Sequence, residues 1–144
     1  MLRLENEIVE IYLINKINEI EEFKLITTYY FEILSKATNE IVGRTDLRVG
    51  MTKELFYYGN IGYTVYPEYR GNNYAYFASL LIFEVAKKMK MKEIIITCSP
   101  DNIASFKTCQ KLGGVYDGEV EVPRKHPLAK IGENTKSIFR YSLK

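Results

Sequence analysis

The sequence predicts a mixed α/β chain of the α+β kind: a mostly antiparallel central sheet with one βαβα unit set into it. Three observations carry that prediction. Alternating apolar and polar residues recur at 29–34, 40–49, 60–66, 115–122 and 137–143, the period-two spacing by which a half-buried strand sends successive side chains to opposite faces. From Tyr74 to about Lys90 the apolar residues fall instead at helical spacing, with Ala75, Ala78, Leu81, Ile82, Val85, Ala86 and Met89 on one wide face. Finally, residues 60–114 run strand, turn, long helix, strand, short helix, and strands that alternate with helices predict a parallel pair joined by a right-handed crossover.

Taken in order, Ile8 to Ile14 (IVEIYLI) is rich in β-branched residues and reads as a strand. Asn15 to Thr27 is charged and weakly periodic, which reads as a loop or about one helical turn. On the next strand Tyr30, Glu32 and Leu34 point one way and Tyr29, Phe31 and Ile33 the other. Lys36-Ala37-Thr38-Asn39 is turn chemistry, so 29–34 and 40–49 make a hairpin. Gly50 to Gly59 is a polar connection, and Asn60 to Tyr66 is a third antiparallel strand with Ile61, Tyr63 and Val65 on one face. Pro67 ends it, having no N–H for a ladder. Glu93 to Thr97 (EIIIT) reads as a strand covered on both faces. Ser99-Pro100-Asp101-Asn102 starts a second helix and Gly113-Gly114 stops it. Two closing antiparallel strands, 115–122 and 137–143, flank a loop rich in proline, glycine and charge.

Composition narrows the function. A chain of 144 residues, 47% hydrophobic, supports one core and one domain, 1–144. With 20 Lys and Arg against 18 Asp and Glu there is no broad basic field to hold nucleic acid. The N-terminus is too acidic for a signal peptide and no apolar window spans a bilayer, so a cytoplasmic protein without membrane contact is expected. Two cysteines, Cys98 and Cys109, and one histidine, His126, lack metal-ligand spacing, so no metal is expected.

The turn Arg70-Gly71-Asn72-Asn73-Tyr74-Ala75 concentrates the chemistry. A chain turning sharply from strand into helix leaves amide N–H groups unpaired at the positive end of the helix dipole, which is an anion-binding nest. Gly71 lets a ligand approach the backbone, Asn72 and Asn73 tolerate a left-handed φ, Ala75 keeps the helix start small, and Arg70 adds a cation. On the second helix, Asn102 and Ser105 lie one turn apart.

These residues together resemble the GNAT superfamily of acetyl-coenzyme A dependent N-acetyltransferases. Pro67, Arg70, Gly71, Tyr74 and Ala75 match its phosphate-binding run, and Asn102, Ser105, Lys111 and Gly113 match the pattern of its second helix. The resemblance implies a GNAT-like fold with an abbreviated N-terminal helical region, since only 15–27 could supply one. It implies acetyl-CoA as co-substrate, bound by Val65, Arg70, Gly71, Asn72, Asn73, Tyr74, Ala75, Asn102 and Ser105, with a backbone N–H near Val65 on the thioester carbonyl. The reaction implied is direct attack by an amine of a small molecule or peptide. Three departures stand out: Asn73 occupies a usual glycine position, Cys109 a usual tyrosine position, and the N-terminal wall is short. For a base that deprotonates the acceptor, the sequence offers Glu32, Asp46 and His126 without singling one out. A catalytically degenerate CoA-binding sensor and a nucleotide-binding domain are the competing readings, and the aromatic meander with an open edge suggests a homodimer.

Overall fold

The chain folds into two antiparallel sheets bridged at one point, and the computed structural model describes residues 2–143. The first sheet has the order β1-β2-β3-β4-β5, built from Arg3–Glu5, Val9–Glu21, Lys24–Ser35, Ile41–Val49 and Ile61–Val65. The second has the order β6-β8-β7, from Glu93–Cys98, Thr135–Ser142 and Val115–Glu121. Helix α1 (Tyr74–Lys88) connects β5 to β6, α2 (Ile103–Lys111) follows β6, and a single turn, α3 (Pro127–Lys130), precedes β8. Ala78, Leu81, Ile82, Val85 and Ala86 of α1 are buried as the helical spacing predicts, while Ala75 and Met89 at the two ends of that face are partly buried. The buried residues pack in one cluster with Ile11, Phe31, Ile33, Leu47 and Ile61 of the first sheet.

Residues 15–27 differ from expectation, forming neither a loop nor a helical turn. They complete a long hairpin in which β2 and β3 pair from Val9↔Ser35 to Glu21↔Lys24. The turn is Glu22-Phe23 with φ of 50° and 63°, the double positive φ that matches the twist of a two-residue hairpin. One face of this ribbon is wet, with the cross-strand partners Ile20 and Leu25 71% and 60% exposed, while on the other face Ile26 is buried. A ribbon that buries a single apolar residue, Ile26, shows no apolar period, and Glu-Phe is not a turn signature, so the segment carried no local signal.

The expected parallel pair is also replaced, since every ladder is antiparallel. β5 and β6 meet only through the bridge Gly59↔Ile96. There Asn60 N–H donates to the Ile95 carbonyl (2.7 Å) and the Ile95 N–H donates to Asn60 Oδ1 (2.8 Å). A buried side chain takes the place of the next ladder bond. Asn60 Nδ2 in turn donates to the carbonyls of Arg48 (3.0 Å) and Gly50 (3.3 Å), so all its polar atoms are satisfied. Gly59 permits the crossing: its φ is +78°, and a Cβ there would lie 2.8 Å from the Ile95 oxygen.

β6 is the edge of its sheet rather than its centre, yet Ile94, Ile95 and Ile96 are buried as a strand covered on both faces requires. The expected loop at 123–134 is tied down. Glu133 accepts from Ser99 Oγ (2.8 Å) and from the buried Lys136 Nζ (2.7 Å). Lys136, then Ser99, hold its carboxyl below the usual range. A depressed carboxylate adds stability above its unfolded value and loses it as pH falls through the folded value. Glu133→Gln is therefore expected to lower stability by about 1.5–3 kcal/mol at pH 7. Urea unfolding should show the wild type and variant converging in acid, below the ordinary glutamate range.

Candidate active site

The gap between β5 and β6 is lined by backbone groups that neither sheet uses. In an antiparallel ladder alternate residues bond to alternate sides. Arg48 N–H donates to Asn60 oxygen (2.7 Å) and Tyr66 N–H to Val42 oxygen (2.9 Å), so Asn60, Gly62, Thr64 and Tyr66 face β4. Ile61, Tyr63 and Val65 therefore present N–H and C=O to the opposite edge, towards β6. By the same rule Leu143 N–H on Lys92 oxygen (2.9 Å) fixes Ile94, Ile96 and Cys98 to β8, leaving the backbone of Thr97 towards the gap. The N–H groups of Tyr63 and Val65 thus stand on one wall and Thr97 on the other.

Tyr63 crosses this gap. Its hydroxyl lies 2.7 Å from Ser105 Oγ on α2, and burial raises its pKa well above the phenol range. The sequence does not single it out as functional, although it shares the predicted face with Val65. Asn102 caps α2, its Oδ1 accepting from Ser105 N–H at 3.1 Å. Cys109 is fully buried, and a hydrogen bond with Cys98, then burial, push its thiol up. Both cysteines are free thiols. Cys109 is thus a packed, protonated side chain and not a nucleophile.

The turn after β5 adopts the left-handed geometry read from its residues at Gly71 and Asn73 but not at Asn72. Gly71 has φ +91° with nothing within 4 Å of a built Cβ, and Asn73 is left-handed with φ 59°. Residues 71–73 are exposed ahead of the first turn of α1, the arrangement of an anion nest. Asn72 Nδ2 donates back to the Tyr69 carbonyl (3.0 Å), tightening the turn. Arg70 Nε donates to the Val65 carbonyl (3.1 Å), so the arginine links the strand end to the nest. Tyr74 differs from the rest: its side chain is buried, with its hydroxyl 3.0 Å from Ser35 Oγ, and only its backbone belongs to the turn. Ala75 is partly buried at the helix start.

A cleft of about 300 Å³ opens beside the end of β5, lined by Ile14, Asn15, Tyr30, Arg44, Asp46 and Thr64 among others. The β2 bulge between Leu13 and Asn15 turns its rim. Of the three acid-base candidates, Asp46 alone lines this cleft. Burial raises its pKa, opposed by Arg48, whose Nη2 lies 3.1 Å from Oδ2. Glu32 accepts from the Tyr12 hydroxyl (2.9 Å). His126 sits against a different hollow, near Tyr57 and Pro123. It is buried, not solvent-exposed as a loop histidine would be. Nδ1 accepts from Leu128 N–H (3.1 Å) while Nε2 contacts the Glu54 carbonyl (2.9 Å), so it caps α3 and carries its proton on Nε2.

Residues 6–115, well over half of the chain, match the family described as Acetyltransferase (GNAT) domain. The chain belongs to the GNAT acetyltransferase family. Over 59 residues, 40% of this chain and 35% of the relative, it is 37% identical to the uncharacterized N-acetyltransferase YnaD of Bacillus subtilis (strain 168). It therefore matches about a third of that curated relative's length. Its fold is similar to the ribosomal-protein-S5-alanine acetyltransferase of Vibrio fischeri, with a TM-score of 0.69 and 16% identity over 100% of this chain and 98% of that one. It is also similar to the Microcin C7 self immunity acetyltransferase MccE, solved with acetyl-CoA and AMP, with a TM-score of 0.58 and 19% identity over 80% of this chain and 61% of that one. Set against the GNAT pattern, Asn73 takes up the left-handed φ that glycine usually supplies. The N-terminal wall is made by the β2–β3 hairpin, with no helix among described residues before 55. No helix among the described residues is long and apolar enough to cross a membrane.

Proposed function

We propose that this GNAT chain transfers the acetyl group of acetyl-CoA to an amine by direct attack on the thioester. The observation that carries the reading is continuity: the open N–H edge of β5 at Tyr63 and Val65 leads, through one 3-10 turn at Pro67–Tyr69, to the amide nest of Gly71, Asn72, Asn73, Tyr74 and Ala75, tied to it by Arg70. In this reading the nest and Arg70 take the pyrophosphate, and Thr97, Asn102 and Ser105 line the path of the pantetheine arm. The Val65 N–H faces the thioester carbonyl, where negative charge develops. The amine nitrogen bonds to the carbonyl carbon, the C–S bond breaks, and the CoA sulfur leaves as a thiolate. A thiol has a pKa of about 8.5, so this leaving group departs without a dedicated acid, and the Tyr63–Ser105 hydroxyl pair faces it as a hydrogen-bonding partner. Asp46, the carboxylate that lines the cleft, receives the proton of the amine.

Isothermal titration with acetyl-CoA and CoA tests the cofactor half. The wild type is expected to bind both. Arg70→Ala is expected to lower affinity about tenfold, the loss of one charge-assisted contact to phosphate. Asn102→Ser keeps the helix cap, which serine supplies as well, while removing the carboxamide, and should also weaken CoA. Unchanged affinity in both variants would show that the turn and α2 do not hold the cofactor.

A further inference from the structure

Resting on the acetyl transfer proposed above, we infer that the acceptor amine carries an anionic group close to its nitrogen, of the size of a free amino acid, and that Arg44 binds that anion. The cleft is where the acceptor must reach the thioester. In the β4–β5 register Arg44 pairs with Thr64, the neighbour of Val65, and paired Cα atoms in such a ladder lie about 5.5 Å apart. Arg44 thus sits across the ladder from the residue that precedes Val65, on the cleft that Tyr63 and Thr64 also line.

The charges around the cleft decide which sign is left over. Asp46 has its cation in Arg48, 3.1 Å away, and not in Arg44. Glu32, the β3 register partner of Arg44, has its carboxylate held by the Tyr12 hydroxyl at 2.9 Å and forms no ion pair with Arg44. On β2 the neighbouring cation Lys16 lies over the Tyr29 ring, 5.5 Å from its centroid. Arg44 is exposed, lines the cleft, and has no hydrogen bond or ion pair among the described residues. A guanidinium offers a planar fork of donors matched to a carboxylate or phosphate. The volume of about 300 Å³ suits one small molecule. Ile14 and Ile17, 44% and 37% exposed at the rim, offer apolar surface to an aliphatic side chain. A neutral peptide N-terminus would leave Arg44 without a partner, because its first carbonyl is followed by an amide and not by a carboxylate.

The test is titration of the CoA-loaded protein with matched pairs: aliphatic amino acids against their carboxamides, O-phosphoethanolamine against ethanolamine, and a tripeptide amide. The wild type is expected to bind at least one anionic member about tenfold or more tightly than its neutral match. The amino-acid and phosphate arms tell which anion is preferred. Arg44→Gln should abolish the preference while CoA affinity stays unchanged, and Arg44→Lys should restore part of it. Equal binding of charged and neutral partners, binding of the peptide amide alone, or no binding of any anionic amine overturns the inference while leaving acetyl transfer standing. Failure of the wild type to bind CoA at all overturns both.

Discussion

Asp46→Asn is expected to lower kcat by about 10²–10⁴-fold with an amine acceptor while leaving CoA affinity within about twofold, the range lost when a positioned general base is removed. The substitution keeps the size and shape of the side chain but gives up the ion pair with Arg48, so urea unfolding of the variant separates lost stability from lost catalysis. What it removes is the basic oxygen at the cleft. The pH dependence separates this role from a purely structural one. Only the ionised carboxylate accepts a proton, so wild-type kcat/KM should rise with pH through the Asp46 pKa. Burial holds that value above the ordinary aspartate range, so the acid limb should sit higher than a surface carboxylate would place it. In the variant this limb should vanish, leaving only the ionisation of the amine itself. A variant with the wild-type profile and near wild-type kcat would assign the base elsewhere.

Gly43→Ala is expected to cost about 2–4 kcal/mol of stability, the range of an overpacked buried site, and to reduce turnover further than the stability loss explains. Gly43 is buried on β4 opposite Val65. A Cβ there would lie 2.2 Å from the Thr64 oxygen and 3.0 Å from the Val65 Cα. Both obstacles are backbone, which cannot swing aside as a flexible side chain could. The strand carrying the Val65 N–H must therefore move away from β4. Urea unfolding reads the stability change, and kcat at saturating acetyl-CoA reads the displacement. An alanine variant as stable and active as the wild type would show that β5 tolerates that shift.

The elements legible in the sequence were those that bury one face. β3, β4 and β5, together with the long helix, show their periods because alternate or every third and fourth side chains enter one core. The 15–27 ribbon buries only Ile26 among its apolar residues and was silent. The turn at 70–75 was legible because glycine and asparagine accept left-handed backbone more readily than other residues, and Gly71 and Asn73 adopt it with φ of 91° and 59° while Asn72 does not. The acid-base candidates could not be ranked. His126 became a helix cap, Glu32 a partner of Tyr12, and Asp46 a cleft residue only through contacts between segments far apart in the chain.

By itself the sequence determined the order of the main strands and the two longer helices, the helix that covers the first sheet, the turn at 70–75 and the resemblance to the GNAT family, since each rests on residues close together along the chain. Tertiary structure decided the gap between β5 and β6, where the Asn60 side chain replaces a ladder and opens the edge of Tyr63 and Val65. It also decided which charge at the cleft stays unpaired. Strand pairing and charge neutralisation join residues that sequence spacing leaves unrelated, so only the folded chain could settle them.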